Sequence, residues 1–203
     1  MNSRKLLELL NSKTISSLIA VGAGYSLITT MSLNILYFLN SKWMLEYGKH
    51  FSELIGDGTF FEKIILVCFI APVIEEILFR GIVFRILKRY LPLLWANLIQ
   101  ALLFAISHNN IVQGIYVFLL GLIVGYVYTK YETVFATILI HMSYNTIGYL
   151  FPKILTIYLL PKINNIWEAC IIFICVLGIG IFTYVKSFRQ IKNYMPLKRP
   201  LLP

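Results

Sequence analysis

Two adjacent glutamates in an apolar stretch are the first residues whose types can do chemistry. Glu75 and Glu76 lie between apolar runs at residues 64–70 and 82–84. A charge near the centre of a lipid bilayer costs ~3 kcal/mol on insertion scales, so an ionisable residue there usually has a function. The pair therefore marks a candidate site for acid–base chemistry. The alternative is a buried ion pair that only fixes how helices pack.

The spacing of nearby residues gives the two glutamates different roles. Residues four apart share a helix face, so Glu76 is predicted to pair with Arg80. Glu75 points about 100° away around the helix and stays available for another partner. Pro72 removes one helix hydrogen bond, which the α-helical register assigns to the carbonyl of Cys68. We therefore expect a local bend or a bound water beside the acids.

Two further pairs of residues have helical spacing in apolar segments. Phe104 precedes His108 by four residues, and His141 precedes Asn145 by four residues. Each pair is predicted to share one helix face. Polar groups surrounded by lipid seek one another, because nothing else there can satisfy them. We therefore expect these side chains to converge with Glu75.

The chemistry that this set can perform is peptide hydrolysis. Glu75 can act as the general base on a water, while His108 holds that water or shares the proton. His141 and Asn145 can donate to the carbonyl oxygen as it becomes an oxyanion. Alternatively, Glu75, His108 and His141 can ligate zinc, with water in the fourth position. The residue types leave both mechanisms open.

The composition indicates a membrane protein that positions these groups on helices. The chain has 203 residues, of which 59% are hydrophobic, and its mean hydropathy is +0.78. We predict an all-α polytopic bundle of about six transmembrane helices, forming one membrane domain over residues 1–203. The predicted spans lie near residues 14–39, 60–84, 91–108, 112–129, 133–151 and 166–185.

The segments between the spans carry the remaining structural predictions. Residues 40–60 are predicted to form an interfacial loop or a surface helix, and residues 1–13 a short amphipathic start. Pro152 is expected to stop the fifth span. Gly121 and Gly125 form a GxxxG pattern, which predicts close approach of another helix.

The distribution of charge indicates membrane topology rather than nucleic-acid binding. The net charge is +9, and most Lys and Arg residues lie between the spans or at the chain ends. Their bias predicts a multi-pass protein of the cell membrane with both termini in the cytoplasm. The three cysteines lie inside apolar runs without metal-site or disulfide spacing, so we interpret them as packing residues.

The motifs together resemble those of a known family. Glu75-Glu76-x-x-x-Arg80, Phe104-x-x-x-His108 and His141-x-x-x-Asn145 resemble three motifs of the CPBP family, the CAAX proteases and bacteriocin-processing enzymes also called Abi. The resemblance covers a core of about residues 60–150. It implies an intramembrane endopeptidase related to the type II CAAX prenyl protease.

The resemblance also implies roles for individual residues. Glu75 and His108 would activate water, and His141 and Asn145 would stabilise the oxyanion. Site-shaping residues would be Glu76, Arg80 and Phe104. The implied substrate is a protein or peptide that reaches the site among membrane lipids. In the CAAX case this substrate is lipidated.

Two other functions compete with the protease. One is a non-catalytic bacteriocin-immunity protein that keeps the family scaffold. The other is a proton-coupled transporter that uses the carboxylate pair as a relay. The intact motifs favour the protease, and the lack of repeated, broken halves in the sequence argues against the transporter.

Overall fold

A computed structural model describes residues 11–193, except for the side chains of Leu54, Ile55 and Leu160, and this part of the chain contains helices without strands. The predicted start over residues 1–13 and the distal basic tail lie mostly outside the described residues. The seven helices are α1 (Ser12–Leu39), α2 (Ser41–Ile55), α3 (residues 60–90), α4 (Leu93–Ile106), α5 (Ile111–Tyr131), α6 (Val134–Leu159) and α7 (Ile166–Asn193).

Four of these helices are long and apolar enough to cross a membrane, namely α1, α5, α6 and α7. Helix α4 is apolar but shorter. The prediction of an all-α membrane helix bundle is confirmed. The count of six spans stays a prediction, since α3 is long but divided into segments of different helical type.

The segment predicted as an interfacial loop or surface helix folds as α2. Asn40 caps its start, because the side-chain oxygen accepts a hydrogen bond from the backbone N–H of Trp43. Gly56 ends it with a φ of 70°, a conformation that glycine adopts without steric cost. Tyr47 and Phe51 of this helix line a cavity inside the bundle.

Helix α3 carries the glutamate pair and is wider than an α-helix in two places. It begins with a capping box between Thr59 and Glu62. The stretches Ile65–Ile70 and Ile77–Phe84 are π-helical, and Ala71–Glu76 between them is α-helical. π-helical turns occur frequently at functional sites. Both glutamates lie at the end of the α-helical stretch.

Glycines set the closest helix contacts, as the GxxxG pattern predicts. A Cβ atom on Gly121 would lie 2.9 Å from the Cβ of Ala101, and one on Gly125 would overlap the side-chain oxygen of Asn97. Helix α5 therefore packs directly on α4 at these positions. A similar approach of Gly24 to the backbone near Gly180 joins α1 to α7.

The prediction that Pro152 stops the fifth span is wrong. Helix α6 continues through Pro152 to Ile154 and then as a π-helical turn over Leu155–Leu159. Helices in apolar surroundings tolerate proline, because local adjustments to wider turns satisfy the freed backbone groups again. The N–H of Leu155 indeed contacts the carbonyls of both Phe151 and Pro152.

The chain reverses directly after His108. Asn109 has a φ of 49°, which an asparagine tolerates better than most residues. The side chain of Asn110 then caps α5 by accepting from the backbone N–H of Gln113 at 2.9 Å. This turn leaves His108 at the end of α4, next to the start of α5.

Candidate active site

The second glutamate of the pair is fully buried and bonded to two partners through one of its oxygens. Glu76 and Arg80 are both 0% exposed, and Arg80 Nη1 donates to Glu76 Oε1 at 2.9 Å. This ion pair confirms the prediction made from the four-residue spacing. The same oxygen also accepts from His141 Nδ1 at 2.8 Å. Glu76 therefore joins α3 to α6.

Arg80 extends the buried network toward α4 and α5. Its Nη2 donates to the carbonyl of Gly121 at 3.3 Å, and its guanidinium lies 4.5 Å from the ring centre of Phe104. Gln100 donates to the same carbonyl at 2.9 Å. The predicted site-shaping residues thus form one connected cluster at the junction of four helices.

The first glutamate has a different environment. The side chain of Glu75 is 30% exposed, and its Oε2 lies 3.6 Å from His141 Nε2. Because His141 donates from Nδ1 to Glu76, its other ring nitrogen is directed toward Glu75. Glu75 therefore keeps a carboxylate that water or a ligand can reach.

His108 lies at the same site but is held by its own helix. Its Nδ1 lies 2.9 Å from the carbonyl of Phe104, so this nitrogen carries the proton and Nε2 is the free position. The rings of His108 and Phe104 meet edge to face at 5.0 Å. Phe104 also contacts the ring of His141 at 5.7 Å, so it spaces the two histidines.

Asn145 contacts α3 one segment before the glutamates. Its Nδ2 donates to the carbonyl of Val67 at 2.9 Å. The α-helical register predicted that Pro72 would free the carbonyl of Cys68. In the π-helical register the N–H of Ala71 bonds to the carbonyl of Leu66, so the carbonyl that faces Pro72 is that of Val67, one place before Cys68. Asn145 satisfies this carbonyl.

The four predicted catalytic residues line one cavity of about 340 Å³. Glu75 reaches it from α3, His108 from the turn after α4, and His141 and Asn145 from α6, and residues of α1, α2 and α5 complete its wall. Hydroxyl and amide groups, among them those of Thr29 and Gln113, lie between apolar side chains. A cavity of this size with a few converging polar groups is typical of a small binding site.

Sequence reasoning missed the residues that α2 contributes. Tyr47 of α2 is hydrogen-bonded to Tyr116 of α5, with 2.9 Å between the hydroxyls. Burial raises the pKa of Tyr47, so this phenol stays protonated. His50 Nε2 lies 3.3 Å from the carbonyl of His108. The amphipathic pattern of α2 predicted a surface position, but nothing local indicated which face of the bundle it covers.

Two polar residues of α4 were also missed. Gln100 Nε2 donates to Asn97 Oδ1 at 2.7 Å, and Asn97 Nδ2 donates to the carbonyl of Leu122 at 3.1 Å. Both side chains lie in an otherwise apolar helix. Polar groups in lipid seek partners, so these two side chains carry the same signal as the glutamates.

The zinc alternative needs three ligands around one point. Within residues 11–193, no three His, Cys, Asp or Glu side chains are grouped so that they could hold a metal ion together. The arrangement therefore does not fit the three-ligand zinc site that Glu75, His108 and His141 were considered for.

Comparison with known proteins identifies the part of the chain that holds this site. Residues 58–147 match the family described as type II CAAX prenyl endopeptidase Rce1-like. The chain carries a CPBP-family, Rce1-like domain. This domain contains α3, α4 and α5, the first part of α6, and every residue of the candidate site named from the motifs.

The chain also matches a curated protein. The chain is 33% identical over 93 residues to an uncharacterised 24.3 kDa protein of Escherichia coli. The alignment covers 43% of this chain and 43% of that relative, so it spans less than half the length of each. No solved structure matches the chain.

Proposed function

We propose that the protein is an intramembrane endopeptidase that hydrolyses a peptide bond with water activated by Glu75. One observation carries the proposal. Of two adjacent glutamates, Glu76 is sealed in an ion pair, whereas Glu75 opens into a cavity that His108, His141 and Asn145 also line. The Rce1-like domain over residues 58–147 supports the same class of reaction.

The first step is attack by water on the scissile carbonyl. The Glu75 carboxylate takes a proton from water, and the water oxygen bonds to the carbonyl carbon while the carbonyl π electrons move to its oxygen. His108 Nε2, the nitrogen left free by the bond to Phe104, holds the water in position. Glu75 needs to be no more than one hydrogen bond from this water.

The second step is collapse of the tetrahedral intermediate. The oxyanion re-forms the carbonyl, the C–N bond breaks, and the leaving amine takes the proton that Glu75 had accepted. The amide of Asn145 is bonded to the carbonyl of Val67, whereas His141 presents Nε2 toward Glu75 and can donate from it when this nitrogen also carries a proton. His141 is proposed to stabilise the oxyanion in that form, and removing such a donor typically costs ~10²–10³ in rate.

The proposed mechanism needs no metal. Glu76 and Arg80 hold His141, and His141 in turn lies beside Glu75, so the protein itself positions the base. We propose a protein or peptide substrate of CAAX type or related to bacteriocins, with a role in bacteriocin self-immunity or processing. The polar and aromatic wall of the cavity suits an extended chain that carries both amides and apolar groups.

The experiment is a cleavage assay with purified protein in liposomes. The substrates are a prenylated CAAX peptide and a double-glycine bacteriocin precursor, each offered with and without a metal chelator. Cleavage that resists the chelator and falls ~10²-fold or more in His108→Ala supports the proposal. Cleavage that is lost with the chelator and restored by zinc contradicts the metal-free mechanism, and absence of cleavage of both substrates contradicts the proposed substrate classes.

A matched control separates loss of chemistry from loss of structure. His50→Ala removes the third histidine, which lies near His108 through a backbone carbonyl rather than in the cavity wall. This variant is expected to lose about fivefold or less in kcat. Equal losses in the two histidine variants, together with lowered Tm values, would mean that the assay reports folding rather than catalysis.

A further inference from the structure

The π-helical segment of α3 has a carbonyl that its own helix cannot satisfy. At the end of this segment the N–H of Ala71 bonds to the carbonyl of Leu66, five residues earlier, which is the π-helical register. The next donor in that register would be residue 72, and its acceptor would be Val67. Residue 72 is Pro72, which has no N–H. The backbone hydrogen bonds of this helix therefore lack a donor for the carbonyl of Val67.

The side chain of Asn145 supplies this missing donor. Its Nδ2 lies 2.9 Å from the Val67 carbonyl, across a sequence separation of 78 residues. Val67 lies in an apolar helix, where an unsatisfied carbonyl would be costly. The asparagine amide thus stands in the place of the backbone N–H that a residue other than proline would have at position 72.

The bond also fixes where Glu75 lies. On α6, His141 and Asn145 are one turn apart, and they contact α3 at Glu76 and at Val67 respectively. Glu75 lies between these two contacts, three residues after Pro72. Losing the contact at Val67 would free the π-helical segment to return to α-helical register, which would rotate the residues on one side of it relative to the other.

We infer that Asn145 is a positioning residue, which replaces the backbone donor that Pro72 lacks and so holds the turn that aims Glu75 into the cavity. In its effect on activity this inference rests on the proposed function. It differs from an oxyanion role, because an oxyanion donor acts on the substrate whatever residue stands at position 72. If Asn145 replaces the missing N–H, its amide becomes dispensable once a backbone N–H is present at position 72.

The test is a double-mutant cycle between Asn145→Ala and Pro72→Ala. Pro72→Ala adds the N–H that can reach the Val67 carbonyl. We expect Asn145→Ala alone to lower kcat roughly 10- to 100-fold with little change in KM, as loss of a partner for a buried carbonyl implies. In the Pro72→Ala background we expect the same change to lower kcat by less than about threefold. A loss of the same size in both backgrounds would overturn the inference.

Thermal unfolding of the same four proteins gives a readout that needs no substrate. The fall in Tm caused by Asn145→Ala is expected to shrink to less than half in the Pro72→Ala background, and equal falls would again overturn the inference. If the wild type cleaves nothing but the Tm values show this coupling, the proposed function fails while the structural role of Asn145 stands. If Pro72→Ala alone removes activity, the Tm cycle decides.

Asn97 provides a matched control for the cycle. Its amide also donates to a backbone carbonyl on a neighbouring helix, that of Leu122 at 3.1 Å, but no proline interrupts the ladder there. Asn97→Ala and Pro72→Ala are expected to act additively. Coupling of Pro72 to both asparagines would show a general loosening of the bundle and would contradict a specific replacement of the missing donor.

Discussion

Glu75 and Glu76 are neighbours in sequence, but the bundle treats them in opposite ways. Glu76 is 0% exposed and shares one oxygen between Arg80 and His141. Glu75 is 30% exposed at its side chain and lines a cavity. The difference shows how one helix can carry both a structural and a reactive carboxylate. Because adjacent residues lie about 100° apart on a helix, Glu76 lies on a buried face of α3, the sealed face, and Glu75 on the face that borders the cavity, the open face.

The sealed face holds α3, α4, α5 and α6 together. Arg80 links Glu76 to the carbonyl of Gly121, and Gln100 and Asn97 continue the network on α4. The open face has fewer direct bonds, since among residues 11–193 Glu75 pairs with one ring nitrogen, that of His141 at 3.6 Å. If this contrast is right, substitutions on the sealed face change stability, and substitutions on the open face change catalysis.

The largest effect on stability is expected from Arg80→Met. It would leave Glu76 buried without its cationic partner, at a cost of ~3–5 kcal/mol in the free energy of unfolding. Thermal or denaturant unfolding in detergent measures it. In the double variant Glu76→Leu with Arg80→Met, the loss should be smaller than the sum of the two single losses. Strict additivity would mean that the pair is not coupled as described.

A smaller loss of stability is expected from Gly125→Ala. The added methyl would overlap the side-chain oxygen of Asn97 and lie 2.7 Å from Gln100 Nε2, so the α4–α5 contact has to open at a cost of ~1–3 kcal/mol. The control is Gly178→Ala on α7, where a Cβ has nothing within 4 Å. That variant should be neutral or more stable by up to ~1 kcal/mol, as helix propensity predicts. Similar Tm changes in both variants would contradict the packing described.

The smallest effect is expected at the contact between α2 and the open face. His50→Ala removes the 3.3 Å contact to the carbonyl of His108, and a net hydrogen bond of about 1 kcal/mol corresponds to a loss of about fivefold or less in kcat. Ser52→Ala serves as the control and should have no effect, because the hydroxyl bonds to the carbonyl of Lys49 within α2. A loss as large as that of His108→Ala, with Tm unchanged, would contradict this and place His50 in the catalytic machinery.

Local helix geometry explains which parts of the site were predictable. The spacing of Glu76 and Arg80 predicted their ion pair, because residues four apart on a helix always share a face. The polarity of His108, His141 and Asn145 in apolar helices predicted their convergence on one cavity, and all of them line it. These conclusions needed only helical periodicity and the cost of polar groups in lipid.

The remaining features depend on contacts between distant segments. The bond from Asn145 to Val67 joins residues 78 apart, and the π-helical register that requires it has no pattern in the local sequence. The same is true of the contact between Tyr47 and Tyr116, which brings α2 over the cavity. Periodicity assigns residues to a face of their own helix, but it does not say which helix covers that face.

The most direct measurement of the central claim compares Glu75→Gln with the wild type in kcat and Tm. The substitution keeps the size of the side chain and removes the base. The account predicts that kcat falls ~10²–10⁴-fold, while Tm stays within about 3 °C, since this side chain is partly exposed and lies 3.6 Å from His141, beyond hydrogen-bond distance. A Glu75→Gln protein that cleaves at the wild-type rate, or that loses activity only because it unfolds, would contradict the account.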